Sequence, residues 1–389
     1  MPIRSAAAFA LAVLLAGCAT THPAARQPQL RVATYNTSLY AETDGGLAAR
    51  LAAGDANASK IAAVIQHQRP DLLLLNEFDY DATGDTARLF QEKYLGVSQH
   101  GQQPIAYPWF YIAPVNTGVQ SGMDLDHDGK TGGGNDAWGF GLHPGQYGML
   151  VLSKYPIDFG HVRTFQLLKW SAMPGTKSPV DPKTGQDYYP PEAWTQLRLS
   201  SKSHWDLPVD TPLGEIHFLV SHPTPPVFDG PDDHNGIRNR DEIRLWNEYI
   251  SGGELPWLCD DAGACGGLAG SPAFVIAGDQ NSDPHDGDST AINQLLSNPR
   301  VQGSPLPRSE GAVASAKAVG GGNIGQKGPD YEDTGDFGPK VGNLHLDYVL
   351  PSTGLNVVAR GVFWPAPGVE GSQWIDATDH HMVWLDLEK

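Results

Sequence analysis

Five stretches of the chain end an apolar run on a residue able to bind a cation, move a proton or hold a phosphate. They are "TYN" at Asn36, "NEFD" at Glu77, "VSHPT" at His222, "AGDQN" at Asp279 and Asn281, and "ATDHH" at Asp379 and His380. Carboxylates and amides offer oxygen, the ligand type of Mg²⁺, Mn²⁺ or Ca²⁺ and a poor one for zinc. The two histidines change charge near neutral pH, so they suit proton donation or contact with an anion. One Asn or Asp at a strand end is ordinarily a turn former. Five polar tips on apolar strands point instead to a shared rim, the place where α/β sheets build active sites.

A second cluster lies in "MDLDHDGKTGGGND". Asp124, Asp126 and Asp128 alternate ahead of Gly129, as at the start of a calcium loop of the EF-hand kind. The twelfth position holds Asn135 where that loop requires Glu, and no flanking helix pair is evident. The expectation is a looser structural Ca²⁺ site, completed by Asn135 or Asp136, with a solvated acidic loop as the alternative. Cys259 and Cys265 flank "DDAGA" and are expected to form a local disulfide. A zinc site is the alternative, but no further Cys or His lies at ligand spacing nearby.

The elements that must position these residues are mostly strands. "LRVATYN" alternates, "ASKIAAVIQHQRP" has helical spacing, and "PDLLLLNEFD" is a continuous apolar strand of the kind buried on both faces. Further strands are expected at "YGMLVLS", "TQLRLS", "GEIHFLVSH", "FVIAGD", "HLDYVLP", "LNVVARGVF" and "HMVWLDL", and helices at "RNRDEIRLWNEYI" and "DSTAINQLLSN". Many strands and few helices suggest two packed sheets covered by helices. Three long Gly/Pro-rich segments, Asn116 to Tyr147, Trp170 to Trp194 and Val301 to Asn343, interrupt the pattern.

Taken in order, "TYN", "NEFD", "YGMLVLSKYPI", "GDQN", "LDYVL" and "TDHH" resemble the endonuclease/exonuclease/phosphatase superfamily, over nearly the whole chain after the leader. The usual member has Gln-Glu at the second motif, where this chain has Asn76-Glu77. The resemblance implies a four-layer α/β sandwich, two mixed β-sheets packed face to face with helices outside, and attack of water on a phosphate ester assisted by a divalent cation. It implies Asn36, Glu77 and Asp379 at the cation and Asp279 activating the water. Asn281 would orient the water or phosphate, His380 would contact the phosphate with Asp347 behind it, and His222 would be a second donor. Tyr147 reads as a phosphate contact or a core tyrosine. Arg238 and Arg240 read as a solvated helix face near Glu242, with a phosphate clamp as the alternative.

Composition narrows the substrate. The 389 residues carry 26 Lys and Arg against 44 Asp and Glu, a net charge of -18. Long polyanions are tracked by basic stripes, so nucleic acid is disfavoured and small organophosphates or phospholipid-type headgroups are preferred. Residues 1–17 read as a secretory leader, and Leu15-Ala16-Gly17-Cys18 resembles a lipobox whose cysteine is lipidated. Residues 18–29 read as a tether and 30–389 as one catalytic domain. Ala19 after the cysteine favours the outer membrane. The overall expectation is an exported, lipid-anchored, monomeric phosphoesterase. A nuclease of the same superfamily and a non-catalytic calcium-binding surface protein are the alternatives.

Overall fold

The computed structural model describes residues 29–389. The leader, Cys18 and all of the tether except Gln29 lie outside the described residues. In chain order the strands are β1 (Gln29–Leu39), β2 (Leu72–Phe78), β3 (Trp109–Tyr111), β4 (Met149–Ser153), β5 (Arg163–Thr164), β6 (His204–Thr211), β7 (Gly214–Ser221), β8 (Ala273–Asp279), β9 (Gly335–Asp336), β10 (Asn343–Leu344), β11 (Asp347–Pro351), β12 (Asn356–Val362) and β13 (Val383–Glu388). The α-helices are α1 (Gly46–Ala53), α2 (Ala56–Gln68), α3 (Asp85–Phe90), α4 (Pro191–Trp194), α5 (His234–Ser251), α6 (Thr290–Leu296), α7 (Glu310–Val319) and α8 (Gly338–Val341). Among the described residues no helix is long and apolar enough to cross a membrane.

Two mixed sheets result, ordered β12-β13-β1-β2-β4-β3 and β11-β8-β7-β6-β5, with β9 and β10 as a separate pair. Alternation along the strands builds three apolar layers. Val32, Leu72, Leu74, Val275 and Ala277 face inward, where they meet Trp205, Leu207, Phe218 and Leu385 between the sheets. Their neighbours Ala33, Leu73 and Leu75 face outward against α1, α2 and α3, and Phe274 and Ile276 face α5 and α6. A strand with both faces covered has no polar side to show, which is why "LLLL" and "FVIA" read as unbroken apolar runs. The expected four layers are therefore present.

Each sheet has a parallel pair at its centre, β1 with β2 and β7 with β8, joined through helices. These four strands end at the same rim. β11 runs antiparallel to β8 with Asp347 opposite Asp279, and β13 runs antiparallel to β1 with Val383 opposite Thr34. The beginnings of β11 and β13 therefore reach the place where the parallel strands end.

Several expectations are corrected. "TQLRLS" is not a strand. Its Leu197 and Leu199 are buried under the second sheet, and the Arg198 and Leu199 carbonyls accept from the Arg238 guanidinium instead of from a neighbouring strand. β6 escapes a reading for strands because it contains Pro208 and two aspartates. It tolerates the proline because β5 pairs only with Trp205 and Asp206, and beyond it β6 is flanked by a single bridge, Ile157 to Val209, in which the Pro208 carbonyl accepts from Asp158 N and no N–H of residue 208 is required. The third long segment holds α7, capped by the Ser309 hydroxyl accepting from Ala312 N at 3.2 Å. The face α7 buries is made of small residues, Gly311, Ala312 and Ala316, which stand out little from the Gly-rich sequence around them.

Candidate active site

The two sheets are fastened at the rim by Asn76, buried near the end of β2. Its Nδ2 donates to the Ser221 carbonyl at 3.3 Å, and its Oδ1 accepts from Asp279 N at 3.1 Å and Thr34 Oγ1 at 3.4 Å. Next to this contact, Gly278 has φ +148°, and a Cβ there would fall 2.0 Å from the Ser221 oxygen. The glycine lets two strand ends approach each other. Asn76→Ala leaves the Asp279 amide and Ser221 carbonyl without their partner. The expected loss is about 1–3 kcal/mol for each orphaned group, measured as a shift in the denaturation midpoint at unchanged m.

Around this fastening the strand tips converge. Asn36 Nδ2 donates to Glu77 Oε1 at 3.1 Å and to Asp279 Oδ2 at 3.0 Å. His222 Nε2 and His380 Nε2 each lie 3.5 Å from Asp279 Oδ2. His380 Nδ1 meets Asp347 Oδ2 at 2.8 Å, and Thr334 Oγ1 donates to the same oxygen at 2.8 Å. Asn281 N donates to Asp279 Oδ1 at 2.8 Å and its side chain to the Pro223 carbonyl at 3.1 Å. Thr378 Oγ1 contacts Ser38 Oγ at 3.1 Å and donates to the Asn36 carbonyl at 3.2 Å, so the segment holding the exposed Asp379 is tied to the end of β1. All eight residues expected at the site thus lie at this rim.

Four residues at or beside the site are left-handed without being glycine: Ser38 at φ 48°, Glu77 at 55°, Asn281 at 50° and Tyr147 at 56°. Such conformations cost free energy and persist where the surroundings dictate them, as they do at many binding sites.

The two histidines hold different charges. Burial opposes charge on His380, but the Asp347 and Asp279 carboxylates outweigh it and hold the imidazole well above its ordinary range. Burial, with help from Lys202, pushes His222 down to about 4. Neither His222 nitrogen has a hydrogen-bond partner among the described residues. Burial also opposes the Asp279 charge, yet His380, His222 and Asn36 keep it well below the usual carboxylate range. His380 is thus favoured as a cation and His222 as a neutral imidazole, on either side of a carboxylate favoured in its ionised form.

The oxygens of Asp279 and Asp347 and a ring nitrogen of His380 lie within 4.8 Å of one another, a spacing that could hold a metal ion. Asp347 and His380 already bind each other, however, so Glu77 and Asp379 are the better oxygen donors for a hard cation. Burial pushes the Glu77 carboxyl above its ordinary range, the sign of a charge lacking compensation that a divalent cation would provide. The set fits such an ion. Asn36 turns its donor, Nδ2, toward the two carboxylates, while its Oδ1 accepts from Ser38 N at 3.3 Å.

Arg238 is also corrected. It is buried and donates to the Leu199, Arg198 and Trp138 carbonyls, so it lies neither on a solvated face nor on a phosphate. Glu242 is buried too, accepting from Ser201 N at 2.7 Å and Thr224 N at 2.6 Å. Arg240 is half-buried, its Nε 3.9 Å from Asp241 Oδ1. Lys202, just ahead of β6, was not singled out in the sequence. It is buried, burial lowers its ammonium, and Glu242, Glu77 and Asp279 favour its charge. Its sequence signal was hidden with that of the strand it precedes.

Away from the rim, the Asp124, Asp126 and Asp128 carboxylates approach within 4.8 Å of one another. Asn135 Nδ2 donates to Asp126 Oδ2 at 3.0 Å. Asp136 is not available to complete that group: it is buried and accepts from the Leu125, Gly132 and Gly133 amides. Cys259 and Cys265 are joined in a disulfide.

Residues 33–380 match the Endonuclease/Exonuclease/phosphatase family. The chain belongs to that family. It is a hydrolase acting on phosphoester bonds. A solved endonuclease/exonuclease/phosphatase from Beutenbergia cavernae is 18% identical, with 93% of this chain and 72% of that one covered at a TM-score of 0.51. Sphingomyelinase C from Streptomyces griseocarneus is 16% identical, covering 93% and 100% at 0.46. Mannosyl-6-phosphatase from Bacteroides thetaiotaomicron is 13% identical, covering 92% and 100% at 0.47. Comparison of the sequence with curated proteins gave no match.

Proposed function

We propose that the chain is a cation-dependent phosphoesterase for small phosphodiesters or phospholipid-type headgroup esters, acting as a monomer by attack of water. The observation that carries this reading is the convergence of His222 and His380 on Asp279 Oδ2, each at 3.5 Å, with His380 held from behind by Asp347 at 2.8 Å. A divalent cation held by Glu77 and Asp379 would supply positive charge to the phosphoryl and leaving oxygens. Asp279 is the acceptor for the water's proton. A carboxylate this firmly ionised is a weak base, so it takes that proton late, as the water oxygen bonds to phosphorus and becomes acidic. Asn281 fixes the Asp279 carboxylate through its backbone amide. His380, held by Asp347, presents a charged N–H to the phosphoryl oxygens, and neutral His222 presents a second donor.

The net charge of -18 favours small esters over nucleic acid. The test is a comparison of turnover on bis(p-nitrophenyl) phosphate and on single- and double-stranded DNA. Faster hydrolysis of DNA at physiological salt would overturn the substrate class and favour a nuclease.

We also propose export and outer-membrane anchoring through Cys18, on the strength of the lipobox-like tetrad. Cys18→Ser is expected to move the protein from the membrane to the soluble fraction, and unchanged fractionation would contradict the anchor. The Asp124, Asp126 and Asp128 group is proposed to hold a structural Ca²⁺. Calcium is expected to raise the melting temperature of the parent and to do so less in Asp126→Ala. Equal melting of the parent with and without calcium would retire the site.

A further inference from the structure

Beside Glu77 the rim carries a corner of aromatic rings that the hydrolytic reading does not use. Tyr40 follows β1 and Tyr147 precedes β4. Their ring centroids are 4.5 Å apart at 52°, and Phe140 stacks on Tyr147 at 6.4 Å and 30°. Core aromatics of this protein, such as Tyr35 and Phe78, are 1% exposed, whereas Phe140 is 52% exposed.

The corner is held in place. Tyr147 N donates to Asp79 Oδ1 at 3.1 Å, and Ala41 N, next to Tyr40, donates to Asp79 Oδ2 at 2.8 Å. The Ala41 carbonyl accepts from Gln146 Nε2 at 2.8 Å and faces His143 Nε2 at 3.0 Å. The left-handed φ of Tyr147 is thus dictated by a pair of loops locked together. The Gly148 carbonyl, one residue on, accepts from Phe78 N at 3.1 Å, which sets Tyr147 beside the end of β2 and Glu77.

The electrostatic surroundings are acidic. Beyond burial, Asp79 acts on both phenols and Glu42 on that of Tyr147; Glu77 and Asp379 act as well, but their charge is the part that a divalent cation at the rim would offset. Arg50, a cation that acts on the Tyr40 phenol, is paired with Asp55 at 2.7 Å. Ring faces with negative quadrupoles, set among carboxylates, repel an anion and attract a cation that needs no hydrogen bonds.

We propose that Tyr40, Tyr147 and Phe140 form a subsite for an organic ammonium group on the substrate's non-reacting arm. The substrate class is then an aminoalkyl or quaternary-ammonium phosphate ester, an assignment that rests on the phosphoesterase reading. The phosphate meets the His380 and cation side of the rim while the ammonium arm lies against the rings.

The test compares phosphorylcholine with 3,3-dimethylbutyl phosphate, ligands of matched shape that differ in the charge of the arm, by calorimetric titration of the full protein with Mg²⁺. The parent is expected to bind the cationic ligand roughly 10-fold more tightly, and Tyr147→Leu and Phe140→Leu to lower that preference to about 2-fold or less. Phe140 is half-exposed, so its variant keeps the test valid if Tyr147→Leu fails to fold. Equal affinity, no binding of either ligand, or a preference that survives in both variants would overturn the subsite. Ester turnover without the preference removes the subsite and leaves the hydrolase; the preference without turnover of any ester does the reverse. Turnover of p-nitrophenyl phosphorylcholine against that of phosphatidylcholine vesicles tells a soluble ester from a lipid headgroup.

Discussion

Asp279→Asn is expected to lower kcat by about 10²–10⁴-fold, the range associated with loss of a positioned acid or base. The substitution keeps the size of the side chain and one oxygen. Asp279 Oδ1 accepts from Asn281 N, and Oδ2 faces Asn36 Nδ2 and both histidines. An amide oxygen can replace only one of these acceptors, so the new NH₂ must face either the Asn281 amide or the Asn36 amide. Some stability is lost with it, about 1–3 kcal/mol. A separate unfolding curve tells the two effects apart: the variant should remain folded at assay temperature with kcat far below the parent's. Near-parental kcat would remove Asp279 from the proton transfer.

Glu77→Gln is expected to move activity and stability in opposite directions. Activity should fall by at least about 100-fold, and the Mg²⁺ needed for half-activity should rise, because a neutral amide is a poor substitute for a carboxylate at a hard cation. The cation-free protein should melt higher. Burial raises the Glu77 carboxyl above its unfolded value, so the folded state holds that proton to higher pH than the unfolded state does. At pH above both values the ionised group therefore opposes folding, and Gln removes that opposition while still able to accept from Asn36 Nδ2. A cation-free variant that melts lower than the parent, with unchanged Mg²⁺ dependence, would place the cation elsewhere.

The positions that proved legible are those where a strand buried on both faces stops abruptly. Leu72 to Leu75 and Phe274 to Ala277 permit only apolar side chains, so Glu77 and Asp279 stand out against them. Residues whose task is tertiary were not legible. Asn76 reads as a variant neighbour of Glu77, yet it joins the two sheets across a gap of 145 residues in sequence. Arg238 has helical spacing to Glu242, but packing turns both inward, one to loop carbonyls and the other to loop amides. The pair His380 and His381 is symmetric on paper. In the fold His380 meets Asp347, whereas burial keeps His381 neutral under the Trp364 ring.

The most direct test of the central claim is the rate of bis(p-nitrophenyl) phosphate hydrolysis by the purified protein, with Mg²⁺, Mn²⁺ or Ca²⁺ and then with excess chelator. Turnover with at least one cation, abolished by chelator and restored by adding that cation back, is the predicted result. Hydrolysis that persists unchanged in chelator, or no hydrolysis with any of the three cations, would contradict it.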